Sequence, residues 1–189
     1  MSVGLKKIDL QEKIESNIDN QKIKPMIRKI LLALLIVLAI IQFIRPAKNQ
    51  SGDATRDISN AYHVPDDVQK IFQRACNDCH SNTTIYPWYA EFQPVGWWLS
   101  SHVTDGKRHL NLNDFSSQKV ALQKKKLEDV MEQIKTDEMP LSSYTLIHTH
   151  AKLSEADKQT LNAWCQHIID TLKATYPPDS LVLPKRKFD

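Results

Sequence analysis

The stretch Cys76-Asn77-Asp78-Cys79-His80 limits what this chain can fold into more than any other. Two thiols three positions apart, followed at once by an imidazole, form the spacing at which one haem can be held by both vinyl groups as thioethers with the histidine under its iron. On that reading Cys76 and Cys79 carry a single covalent haem c and His80 is the proximal iron ligand. The second ring nitrogen of His80 is then expected to be held by a carbonyl or water, which sets the tautomer. Three other uses of the pair compete: a redox dithiol, half of a zinc site and a simple disulfide. A zinc site is short of ligands, because Cys165 is the only other cysteine and has no partner at metal-site spacing. A thioredoxin-like dithiol needs a preceding strand, and nothing near residue 76 reads as one.

The second constraint is the uncharged run Ile30 to Ile44, which reaches about twenty residues if Arg28 and Lys29 snorkel and Met26 and Ile27 are included. We read residues 26–45 as a single transmembrane anchor preceded by a cytoplasmic tail, 1–25, in which Ile8, Ile14 and Ile18 fall at loose helical spacing. A cleaved leader is the alternative; the long basic region and the segment Arg45-Pro46-Ala47-Lys48, without small residues at cleavage spacing, argue against it. Lys22, Lys24, Arg28 and Lys29 outweigh Arg45 and Lys48, so the N-terminus is expected in the cytoplasm and the rest outside the bacterial cytoplasmic membrane, in the periplasm or its equivalent. The net charge of +3 belongs to this region. Residues 1–45 hold eight Lys/Arg against four Asp/Glu, and residues 46–189 hold seventeen against eighteen. No basic face remains to suggest a nucleic-acid partner.

Residues 46–60 are polar and read as a flexible linker to a haem-binding domain over 61–176, with a tail at 177–189. Pro65, Asp66 and Asp67 open a helix whose Val68, Ile71, Phe72 and Ala75 form one apolar face leading into Cys76. The aromatic cluster Tyr86, Trp88, Tyr89, Phe92, Trp97 and Trp98 suits the walls of a large flat cofactor. A helix is expected from Pro94 to a stop at Gly106, and another from a cap at Ser116 or Ser117, with Val120, Leu127, Val130, Met131 and Ile134 inward and Lys124, Lys125 and Lys126 in solvent. Pro140 ends that helix by Met139. Ser154 and Asp157 spell a capping box, followed by Leu161, Trp164, Cys165, Ile168, Ile169 and Leu172 at helical spacing; Cys165 is read as a buried core residue. Pro177-Pro178 closes the domain, and Lys185-Arg186-Lys187 reads as a solvated end. With no strand alternation and only four glycines, the fold class is all-α.

The sixth iron position decides the chemistry. Met139 is the distal ligand we favour, from a loop fixed by Pro140; His102, His109, His148 and His150 are rivals, and an open site is the remaining case. The order Cys76-Asn77-Asp78-Cys79-His80-Ser81-Asn82, Tyr86-Pro87-Trp88-Tyr89, His109-Leu110-Asn111, Phe115, Met139-Pro140, Tyr144, His148 and Ala151-Lys152-Leu153-Ser154 resembles a small bacterial family of membrane-anchored haem-binding domains with a cytochrome-c-like fold. The resemblance covers roughly 61–175 and implies haem attachment at Cys76 and Cys79, proximal ligation by His80 and a distal role for Met139. The chain departs from the expected pattern at Leu141-Ser142, where a second proline would stand. The resemblance supports haem binding more than any pathway; our reading of the whole chain is a membrane-anchored monohaem c-type cytochrome, not an enzyme, passing single electrons to a redox partner protein. A haem-based sensor or gas-binding domain with an open or labile sixth site is the alternative. A peroxidase would need an acid/base group such as His102 over an open face.

Overall fold

The computed structural model describes residues 24–184. Within them the chain forms α1 (24–41), α2 (Asp66–Ala75), α3 (Asn77–His80), α4 (Val95–His109), α5 (Val120–Lys135), α6 (Ser142–Thr145) and α7 (Glu155–Thr175). Short 3₁₀ turns join them, and no β-strand occurs among the described residues beyond an isolated bridge between Gln50 and Thr83. The all-α expectation holds.

The longest helix of the domain, α7, organises the core. Its start is the expected capping box: Ser154 Oγ accepts from Asp157 N–H, and the Asp157 carboxylate accepts from Ser154 N–H at 2.8 Å. Leu161, Trp164, Cys165, Ile168, Ile169 and Leu172, six positions on one face, are all buried against α5, α2 and the 3₁₀ turn Pro178–Leu181. Trp164 meets Phe72 of α2 edge-on with centroids 5.5 Å apart, and its indole N–H donates to the His63 carbonyl at 3.0 Å. Cys165 is fully enclosed, and burial pushes its thiol up to about 12, as a core residue's should be. Arg74, at the end of α2, bonds Asp157 at 2.6 Å and donates to the carbonyls of His150 and Lys152.

Four expectations are corrected. The helix placed after Ser116 begins at Val120, because Phe115 is buried as a core plug and Ser117 Oγ turns back to Asp114. Lys126 is not in solvent. It is 9% exposed, and its ammonium donates to the His109 carbonyl at the end of α4, a partner-starved helix terminus that attracts a cation. Lys125 does face water, paired with Asp129, while Lys124 is half-buried and paired with Glu128. The tail from Pro177 is partly core, since Leu181 is buried on α5 and α7.

The fourth correction concerns residues 46–60, expected as a free linker. They lie along the domain: Asn49 donates to Ser81 O and Thr84 Oγ1, Gly52 N–H to Asn82 O, and Asn113 to Asp57 Oδ2, while Ile58 is buried. Short polar side chains that lower mean hydropathy are the ones that satisfy neighbouring backbone groups, so a polar composition here marks hydrogen bonding rather than freedom. The preceding helix α1 presents Leu31, Leu35, Ile36 and Ile40 outward along its length. Among the described residues no helix is long and apolar enough to cross a membrane, the described part of α1 including Lys24, Arg28 and Lys29. The expected amphipathic stretch of the N-terminal tail and the basic end at Lys185-Arg186-Lys187 lie outside the described residues.

Although burial works to raise it, the Asp157 carboxyl is held at about 2 by Arg74 and the Ser154 cap. A carboxylate depressed in the fold stabilises at pH values above its unfolded value near 4, and that contribution disappears as pH falls to about 2. Asp157→Asn is therefore expected to lose on the order of 1–2 kcal/mol at pH 7 and little at pH 2, read by urea denaturation at both.

Candidate haem site

The cysteine segment is a bend between two helices. Cys76 ends α2 with its N–H on Phe72 O, then starts α3; Cys79 N–H and His80 N–H both return to Cys76 O at 3.2 and 2.9 Å. This single turn carries both thiols and the imidazole expected to hold the haem within one corner. Cys76, Cys79 and Cys165 are free thiols. Burial pushes Cys76 up to about 12 and Cys79 up to about 11, so both are protonated at neutral pH. Among the described residues no three His, Cys, Asp or Glu side chains cluster as a metal cage would.

His80 is held in one orientation. Its Nδ1 lies 2.9 Å from the Leu110 carbonyl, and since a carbonyl only accepts, Nδ1 bears the proton and Nε2 keeps its lone pair. Burial lowers its pKa, outweighing the Leu110 and Gly106 carbonyls, and nearby His109 and Lys126 act in the same direction. A neutral imidazole with a free, oriented Nε2 is what an iron ligand requires.

That placement depends on α4 reaching past Gly106. Gly106 was expected to stop the helix but lies inside it: a Cβ there would stand 2.8 Å from the Cys79 carbonyl oxygen and 3.1 Å from Cys79 Cβ. Glycine is needed for this approach, and the helix runs on to His109 so that the loop at Leu110 meets His80.

The residues assigned to the opposite side divide. Met139 is half-buried in the turn leaving α5, its N–H on the Gln133 carbonyl at 3.2 Å. The chain does return to the attachment corner, but through Tyr144, whose hydroxyl donates to Asp78 Oδ2 at 2.7 Å. Burial, with the Asp78 carboxylate beside it, raises the Tyr144 pKa, so it remains a donor. His148 stacks on Tyr144 with centroids 4.5 Å apart and shares a 2.8 Å bond with the Tyr89 hydroxyl. His102, half-buried, and His109, exposed, bond back to Trp98 O and Asp105 O of their own helix; His150 is exposed as well. The Asp78–Tyr144–His148–Tyr89 network was missed from sequence. Its one legible sign was the four-residue spacing of Tyr144 and His148, which permits stacking on a helical turn.

The aromatic cluster also divides. Tyr86 and Trp97 serve residues 44–49: Tyr86 Oη accepts from Asn49 N–H and Trp97 Nε1 donates to Ile44 O at 2.7 Å. Ile85 and Leu146, 76% and 79% exposed, stand with Trp88 and Ile147 on two loops pinned to Asp78 through Ile85 N–H and Tyr144. Exposed apolar side chains on loops tied to the cysteine turn suit a large flat apolar group, so the residues present fit a haem.

An all-α domain with an oriented imidazole beside paired thiols defines the class of haem-binding helical proteins. The family described as haem-binding domain matches residues 36–167, most of the chain, and the protein belongs to that family. No curated protein and no solved structure matches it.

Gly106→Ala is expected to destabilise the domain by about 1–3 kcal/mol through overpacking on Cys79, outweighing the ~1 kcal/mol that alanine gains in helix propensity. Urea denaturation compared with wild type checks the sign.

Proposed function

We propose that the chain is a membrane-anchored monohaem c-type cytochrome that passes single electrons on the outer side of the cytoplasmic membrane. Cys76 and Cys79 bind the haem covalently, His80 is its proximal ligand, and Met139 closes the sixth position. The observation that carries the reading is the His80 imidazole, neutral and locked on Leu110 with Nε2 free, at the end of the Cys-x-x-Cys turn. A bound haem supplies an iron that accepts and returns one electron. The protein orients the ligand through Leu110, keeps it neutral by burial, and excludes water from it with α4.

One observation favours a second reading. Tyr144 and His148, rather than Met139, are bonded toward the attachment corner, which suits a haem-based sensor or gas-binding domain whose sixth site is open or labile. The absorption spectrum of the haem-loaded protein separates the two. In a carrier, the oxidised form shows the weak band at the near-infrared edge that sulfur ligation produces, Met139→Ala abolishes it, and carbon monoxide binds only the reduced mutant. An open site lacks the band in wild type and takes carbon monoxide directly. Cys76→Ser with Cys79→Ser should in either case release haem to acidified organic solvent, which wild type resists.

The anchor reading is supported by the outward apolar side chains of α1 and its basic N-terminal flank. The full chain is expected to stay in the membrane pellet after alkaline carbonate extraction; recovery in the supernatant would refute anchoring.

A further inference from the structure

Where α1 ends, residues 47–49 cross the face of α4 and enclose a cleft of roughly 270 Å³ lined by Lys48, Asn49, Tyr86, Ser100, Thr104 and Lys107. Ser100, Thr104 and Lys107 recur at one helical face, so the cleft has a rigid floor. A narrower groove, sharing Lys48, Tyr86 and Ser100, continues from it to Arg45 at the foot of α1. The groove therefore runs from the end of the apolar helix into the domain.

Its electrostatics are one-sided. Arg45 and Lys48 share a single carboxylate, Glu91, each at 2.5 Å. Lys107 is half-buried with no carboxylate partner among the described residues; its ammonium donates to Asn49 Oδ1 at 2.7 Å and keeps further protons for another acceptor. The Asn49 amide is turned that way because its Nδ2 is committed to Ser81 O and Thr84 Oγ1. Tyr86 Oη accepts the Asn49 N–H, which leaves its own proton unspent on any described protein group. Three cations against one carboxylate, with spare N–H and O–H donors aimed into a cleft, form a receptor for an oxyanion.

We propose that this cleft binds the phosphate of an anionic phospholipid headgroup, held by Lys107, Lys48 and Tyr86. The lipid source follows from position: the groove opens at Arg45, directly after the apolar helix, where headgroups stand if α1 is anchored as proposed above. A bound headgroup would brace the 47–49 segment, and through Asn49 the residues that follow His80.

The test is calorimetric titration of the haem-loaded full chain, in a neutral maltoside detergent, with short-chain phosphatidylglycerol, short-chain phosphatidylcholine and inorganic phosphate. One phosphatidylglycerol is expected per chain, bound at least tenfold more tightly than the other two, with Lys107→Gln losing about tenfold and Lys173→Gln, on the distant face of α7, losing nothing. If Lys107→Gln fails to fold, Lys48→Gln carries the same expectation. Equal affinity for phosphatidylcholine, equally tight inorganic phosphate, or unchanged affinity in both lysine variants would overturn the proposal. So would absent lipid binding together with a shifted haem midpoint potential in Lys107→Gln, which would assign the cation to a haem carboxylate. Titration in detergent does not depend on anchoring, so its failure and a failure of carbonate extraction are separate results.

Discussion

The backbone approach of α4 to the cysteine turn at Gly106 is the contact on which the rest of the haem site depends. It brings the end of a helix, with its unpaired carbonyls, against the one imidazole that must be oriented. Those carbonyls are shared out: Leu110 O accepts a hydrogen bond from His80 Nδ1–H, and His109 O accepts from the buried Lys126 ammonium. The two donors assist each other, because the Lys126 charge near His80 adds to burial in keeping the ring neutral. A bulkier residue at 106 would move the helix end, and with it the tautomer, the ligand direction and the lysine together.

A second group of hydrogen bonds joins the end of α1 to the domain. The Gln42 amide pairs with the Gln93 backbone in both directions, at 2.9 and 3.1 Å, and Trp97 reaches Ile44. Asn49 then continues the connection to the residues after His80. If α1 lies in the membrane as proposed, the Cys76–His80 corner is held at a set attitude to the bilayer rather than swinging on a leash.

Legibility from sequence followed the range of the interactions. The stripe of α7, its capping box, the apolar face of α2 and the core position of Cys165 were all correctly read, because periodicity and caps are local properties. That the domain binds haem was legible as well, and the family match agrees. The roles of Gly106, Lys126 and Asn49 were misread in one way: each was judged by its residue type, as a helix stop, a solvated charge and a linker residue, while each is used by a segment distant in sequence. Lys126 seals a helix end seventeen residues earlier, and Asn49 caps backbone thirty-two residues later.

By itself, the sequence determined the main helices and the all-α class, because these follow from hydrophobic period and caps. Tertiary structure alone decided that His80 Nδ1 is held on the Leu110 carbonyl, that Tyr144 rather than Met139 is bonded to Asp78, and that residues 46–60 are laid on the domain. Each of these is a hydrogen bond between groups thirty or more residues apart, and such pairings are settled by how helices pack, which no local pattern encodes.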